Sequence, residues 1–134
     1  MTAMFLIFDT ETTGLPRSFN APIADVDNWP RVVQLAWEVF GVCGRRKPAR
    51  SELISPDGFT IPIEAERVHG ISTEVARRSG VPIAVALGAF FGPLVGASLL
   101  IAHTSASMRA FSVRSSTGWG SRIHFSERAA CARS

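Results

Sequence analysis

Two carboxylates, Asp9 and Glu11, stand two residues apart at the end of a nearly pure apolar run, Ala3 to Phe8, in the stretch "FLIFDTETTGLP". On an extended strand, side chains two apart point to the same face, so the two acids can converge on one point just beyond the strand's end. Acids at the edge of a buried run cost free energy unless something binds them, and a metal ion is the natural occupant. Mg²⁺ is hard, prefers oxygen ligands in octahedral geometry, and is usually held by one or two carboxylates plus waters and substrate phosphates. Two such ions about 3.5–4 Å apart can stabilise both the attacking and the leaving oxygen of a phosphodiester displacement. Thr12, Thr13 and Gly14 follow at once and offer hydroxyls and backbone N–H groups in a tight turn that could approach a nucleotide closely. By itself a D-x-E tripeptide is also common as two solvated acids closing an edge strand. The apolar run before this one argues for a central strand, and central-strand ends are where ligands gather in α/β folds.

The elements that must position these acids can be read along the chain. Ala3 to Phe8 is short, continuous, aromatic-rich and bounded by turn residues, which predicts a strand buried on both faces. Residues 15–30 carry three prolines and little periodicity, hence a loop. In "RVVQLAWEVF", Val33, Leu35, Trp37 and Val39 alternate over a β-rich run, which predicts a second strand, and "SELISP" after a charged turn predicts a short third, giving an antiparallel meander. A brief helical turn is expected around Glu64 to Val68. Ser72 is a good N-cap for "TEVARR", with Glu74 in the first turn and Arg77 and Arg78 near the last.

The run from Val81 to Ala102 spans 22 residues without one charge. About 20 apolar residues suffice to cross a bilayer, so a membrane span is one reading. The other is a helix, "PIAVALGAFFGPLVGAS", followed by a buried strand, "LLIAH". Pro82 suits the first turn of such a helix, whereas Pro93 would cost about 3 kcal/mol in its interior unless the helix stops or bends there.

At 134 residues, with 46% hydrophobic and 19% charged residues, the chain has the size and composition of one folded domain. No charged-then-apolar leader opens it, which reads as cytoplasmic. Cys43 and Cys131 have no framework or metal-cluster spacing. The net charge of +3 is unevenly spread: residues 1–103 hold nine Lys+Arg against ten Asp+Glu, whereas residues 104–134 hold five Arg and one Glu. That tail has eight serines and no leucine, against eight leucines in the body. It could be a solvated nucleic-acid-binding arm, or a stretch that never evolved as part of this protein.

The stretch from about Phe5 to His103 resembles the DnaQ-like 3′–5′ exonucleases of the DEDD superfamily, the proofreading-subunit type of DNA polymerase III. "FDTETTGL" resembles the family's first exonuclease motif, "WPRVVQLAWEVF" its second strand, "GFTIPIEAERVHGIST" its following loop and helix, and "LLIAH" the strand that opens its second motif. The resemblance implies an α/β, ribonuclease H-like fold with a mixed sheet, of which this chain is the N-terminal part, and favours helix plus buried strand, with no membrane partner, over a span. It implies two Mg²⁺ or Mn²⁺ ions, hydrolysis of the last phosphodiester at a nucleic acid 3′ end, single-stranded DNA as substrate, and a DNA polymerase as a partner. By position, Asp9 and Glu11 match the first two metal-binding acids. Thr10, Thr12, Thr13 and Gly14 match the turn that holds the terminal nucleotide. His69, in "RVHGI", matches a histidine near the bound nucleotide, and reads equally as an ordinary loop histidine.

The resemblance stops at His103. The family continues from "AH" into Asn, two variable residues, Phe and Asp, and that Asp is the third metal-binding acid; here the chain reads "AHTSASMRAF", with no acid before Glu127. The third motif, with its histidine base and fourth acid, is absent, and His124 has Ala129 where that acid would stand. Restoring one A after the His103 codon forces Asn next and permits Ile, Ser, Phe and Asp in succession, the missing motif. We therefore expect residues 1–103 to be the N-terminal part of an exonuclease domain, residues 104–134 to be an out-of-frame or disordered tail, and the chain to be an inactive fragment. The alternative is a non-catalytic nucleic-acid-binding fragment that uses the basic tail, with Phe111, Trp119 and Phe125 stacking on bases.

Overall fold

The computed structural model of the chain describes residues 4–41 and 44–102. The apolar run at the start becomes strand β1 (Met4–Thr12). It pairs antiparallel with β2 (Val32–Gly41), which pairs antiparallel with β3 (Arg50–Leu53), so the expected meander is present. After helices α1 (Ile63–His69), α2 (Thr73–Ser79) and α3 (Ile83–Gly96), the chain returns as β4 (Leu99–Ala102), parallel to β1 on its other side. The order β3-β2-β1-β4 makes a mixed, four-stranded sheet with β1 inside it, an α/β arrangement.

The core lies on one face of this sheet. Leu6 and Phe8 of β1 and Leu35, Trp37 and Val39 of β2 are buried there with Phe90 of α3. The Phe90 ring meets Trp37 edge-on at 5.5 Å and Phe8 at 5.4 Å between centroids, the tilted geometry that aromatic quadrupoles favour. A second cluster, Val33 with Ile61, Ala65, Ile71 and Ala76, seats α1 and α2 on the same side, toward the start of β2. All three helices thus cover the face that carries the odd-numbered residues of β2.

Burial of β1 on both faces is not what the structure shows. Leu6 and Phe8 keep 0% and 4% of their surface, but Ile7 keeps 36%. Its neighbours on the same face of β4, Leu99 and Ile101, keep 50% and 41%. The physical reason is the one-sided helix layer: among the described residues, the helices pack on the Leu6 and Phe8 side alone.

The helix signals fare well. Ser72 caps α2, its hydroxyl accepting from the Val75 N–H at 3.1 Å. The turn around Glu64 to Val68 is a seven-residue helix, closed by Gly70 in the left-handed region at φ 75°, where its N–H reaches the Glu66 carbonyl at 2.7 Å. Pro82 sits at the N-cap of α3, one position ahead of the expected first turn. Pro93 neither stops nor visibly divides α3, which ends three residues later at Gly96. No described helix is long and apolar enough to cross a membrane. Expectations for Cys43, His103, Cys131 and the whole of 104–134 lie outside the described residues.

Candidate metal centre

The acids are not beyond the end of their strand, as the sequence suggested, but inside it. β2 is long enough to carry the ladder past them: Asp9 pairs with Ala36, Thr10 with Leu35 and Glu11 with Gln34, and the register breaks only between Glu11 and Thr12. What ends near the acids is the parallel neighbour, because the last residue of β4, Ala102, lies opposite Phe8. The pair therefore sits one step past the C-terminal end of β4, on the second of two adjacent parallel strands. This is the place where open α/β sheets bind ligands.

Alternation along β1 puts Asp9 and Glu11 on the face of Phe5 and Ile7, opposite the helices, and leaves both acids half-buried. Asp9 Oδ1 accepts the N–H of Thr10 at 2.8 Å, which fixes one oxygen of that carboxylate close to the backbone. Thr10 itself falls on the helix-facing side. Thr10 and Thr12 belong to the strand rather than to the turn expected after the acids; the turn starts at Thr13.

The hydroxyls of that region build the loop. Thr12 Oγ1 donates to the Gly14 carbonyl at 2.9 Å. Thr13 is held twice by Arg31: its N–H donates to the Arg31 carbonyl and its Oγ1 accepts the Arg31 N–H, both at 2.9 Å. Gly14 has φ 146°, a conformation L side chains rarely adopt, so glycine is what allows the chain to turn away here. One buried residue escaped the sequence reading. Asn28, 5% exposed, exchanges both amide groups with the Ser18 backbone, at 2.8 and 2.9 Å, and so pins the proline-rich loop to itself. An asparagine among prolines gives no periodic signal that could have marked it.

His69 is the last residue of α1, whose cluster packs on Val33 at the same end of the sheet as Glu11 but on the other face. Its Nδ1 accepts the Ile71 N–H at 3.1 Å, so in the neutral ring Nε2 carries the proton. That Nε2 is buried and has no hydrogen-bond partner among the described residues. A buried donor left unpaired costs about 1–3 kcal/mol, which an acceptor from outside would recover.

The donor set can be tested against the metal it would hold. Two same-face carboxylates inside β1, one step past the end of β4, fit one hard, oxygen-seeking ion that keeps several waters. They do not amount to a two-ion site, since no group of three His, Cys, Asp or Glu among the described residues is placed to hold a metal.

No family model matches the chain. No curated protein matches it either. Solved structures do. The chain is similar to E. coli exonuclease I in complex with a dT13 oligonucleotide, with a TM-score of 0.60 at 17% identity over 75% of this chain and 20% of that one. A product-bound exonuclease I gives 0.62 at 17% identity over 78% and 22%. A complex of exonuclease I with the SSB C-terminus gives 0.61 at 17% over 77% and 21%. The chain thus spans about a fifth of the length of these proteins. At such identity the likeness shows the fold, the ribonuclease H-like α/β arrangement.

Proposed function

We propose that this chain carries the N-terminal part of a metal-dependent 3′–5′ exonuclease domain of the DnaQ-like type, and that the 134-residue chain is itself catalytically silent. The observation that carries this reading is the placement of Asp9 and Glu11 together on one face of an interior strand, one step past the end of its parallel neighbour. In it, Asp9 and Glu11 hold Mg²⁺ or Mn²⁺. When bound, the metal pair of an intact site supplies electrostatic stabilisation of the attacking and leaving oxygens of the terminal phosphodiester. The half-buried carboxylates orient that charge toward the open side of the sheet. Thr12, Thr13 and Gly14 shape the wall for the terminal nucleotide, the Thr12 and Thr13 hydroxyls acting chiefly on the loop, whereas Thr10, which the resemblance also assigns there, faces the helices. His69, which the resemblance sets near the nucleotide, lies at the same end of the sheet but on the helix-covered face with Nε2 buried, so it is given no direct contact in this reading.

The substrate class is a single-stranded DNA 3′ end. The fold likeness to exonuclease I bound to an oligonucleotide supports it, and a polymerase partner follows from the DnaQ-like resemblance alone. Silence follows from ligand count: two described acids serve one ion, and after His103 the chain has no acid before Glu127. We attribute that break to a one-base frameshift at the His103/Thr104 codon boundary.

The test is 3′ shortening of a 5′-labelled single-stranded oligonucleotide in Mg²⁺ or Mn²⁺. The 134-residue chain should leave it intact. A chain translated after restoring one A should shorten it, and Asp9→Ala should abolish that. Asp9-dependent shortening by the 134-residue chain would overturn silence; a restored chain that never cuts would count against the exonuclease assignment. Salt-steep oligonucleotide binding that vanishes without residues 104–134 would favour the arm of five arginines and one glutamate instead.

A further inference from the structure

Strand β2 breaks its alternation at the level of the acids. Its odd-numbered residues from Val39 back to Val33 are buried under the helices. The register then passes from Glu11 opposite Gln34 to Thr12 opposite Val32, so Val33 is the extra residue of a β-bulge. Bulges re-aim neighbouring side chains and are over-represented next to active sites. This one reverses the side on which Arg31 falls. Strict alternation would send Arg31 toward the helices with Val33. Instead, two hydrogen bonds of 2.9 Å, made by the Arg31 carbonyl and N–H, seat it opposite Thr13, which by the pleat of β1 shares the face of Asp9 and Glu11. Arg31 is therefore a diagonal cross-strand neighbour of Glu11, a separation of about 7–8 Å that long side chains reach across. It is exposed, and the ion pairs among the described residues, Arg46 with Glu38 and Arg50 with Glu52, leave it uncommitted. A nucleic acid strand arriving at two carboxylates meets like charge, which a fixed cation beside them offsets. An arginine fork is matched to phosphate in both charge and shape.

We infer that Arg31 is a phosphate-binding residue of this site, its guanidinium holding a backbone phosphate of the single strand whose 3′ end lies at Asp9 and Glu11. The inference deepens the exonuclease reading and rests on it. Binding suffices to test it, so the silent 134-residue chain can be used, with fluorescence anisotropy of a 5′-labelled oligothymidylate in Mn²⁺ as the measure. Arg31→Gln should weaken binding about tenfold. It should also make the logarithmic salt dependence shallower by about 0.7, one phosphate contact on a single strand. The melting temperature should not move, because the bonds to Thr13 are made by the Arg31 backbone. Arg31→Lys keeps the charge but not the fork, so it should restore the salt slope and only part of the affinity. Arg78→Gln, exposed on α2 over the other face, should leave the affinity unchanged. Equal binding by the parent and Arg31→Gln, an equal loss in Arg31→Gln and Arg78→Gln, or no binding at all overturns the assignment of Arg31. Asp9→Asn judges the underlying reading separately. A Mn²⁺-dependent affinity that it abolishes upholds the metal site even where Arg31 fails, whereas an affinity indifferent to both Mn²⁺ and Asp9→Asn removes the site and Arg31 with it.

Discussion

If Asp9 and Glu11 hold a divalent ion, the ion must stabilise the fold, and the size of the effect can be worked out without any nuclease assay. Two carboxylates, with waters completing the shell, place the site at the weak end of hard-cation affinities, about 1 mM. At about ten times that concentration, binding to the folded state alone contributes RT ln 11, about 1.4 kcal/mol. A domain of 60–100 residues gains about 4–8 °C per kcal/mol, so Mn²⁺ should raise the melting temperature by about 6–11 °C. Asp9→Asn is the informative variant, because its amide oxygen can still accept the Thr10 N–H that Asp9 Oδ1 accepts at 2.8 Å. Its metal-free stability should therefore stay within about 1 kcal/mol of the parent, while its Mn²⁺ response falls below about 2 °C. Glu11→Gln should behave alike. Differential scanning fluorimetry with and without Mn²⁺, at matched ionic strength, reads both numbers. An equal shift in parent and variants, or no shift in the parent, would refute the assignment of the two acids as ligands.

Gly80→Ala should cost about 1–3 kcal/mol in urea unfolding even though its φ of −81° suits any residue, because the new Cβ would lie 2.6 Å from the Ser55 nitrogen, 2.8 Å from the Ile54 carbonyl carbon, and closer still to the Ala76 carbonyl oxygen. A neutral result there would mean the α2–β3 junction is looser than described. Gly70→Ala, in open space but at φ 75°, should cost about 1–2 kcal/mol for conformation alone. Phe90→Ala should lose about 3–5 kcal/mol, as it empties the contact with Trp37 and Phe8 that holds α3 to the sheet. Resequencing the gene across the His103/Thr104 boundary should show one further A and an open frame through Asn-x-x-Phe-Asp; an unchanged sequence rejects a sequencing error and leaves a frameshift in the gene itself or a genuinely divergent tail.

The strands were legible because each carried a contrast that only one structure explains. β2 alternates so strictly that Val33, Leu35, Trp37 and Val39 could be assigned to the core from their spacing, and the structure buries all four. Ser72 announced α2 by a mechanism, a hydroxyl that satisfies an otherwise orphaned N–H. Where contrast was missing, the reading stayed open. α3 has apolar residues on its buried and its exposed side alike, so no periodicity separated a packed helix from a membrane span. Strand β1 misled for the same reason: a run that is apolar on both faces predicts burial on both, although Ile7 remains partly exposed among the described residues. The end of β1 was also placed too early, since a D-x-E reads as a boundary unless one knows that β2 continues the ladder to Thr12.

The sheet order explains why half of the candidate site could be read and half could not. Two acids on one strand are local, and their shared face follows from the pleat alone. Further ligands must come from other strands, and which strand stands beside β1 is a question of topology. The answer is β4, whose register places Ala102, its last described residue, opposite Phe8, one residue before Asp9. The composition of the chain breaks at that same point, where leucine disappears and arginine and serine accumulate. On the reading proposed above, a frameshift one residue past this strand would remove whatever follows β4 while leaving Asp9 and Glu11 on the sheet that positions them.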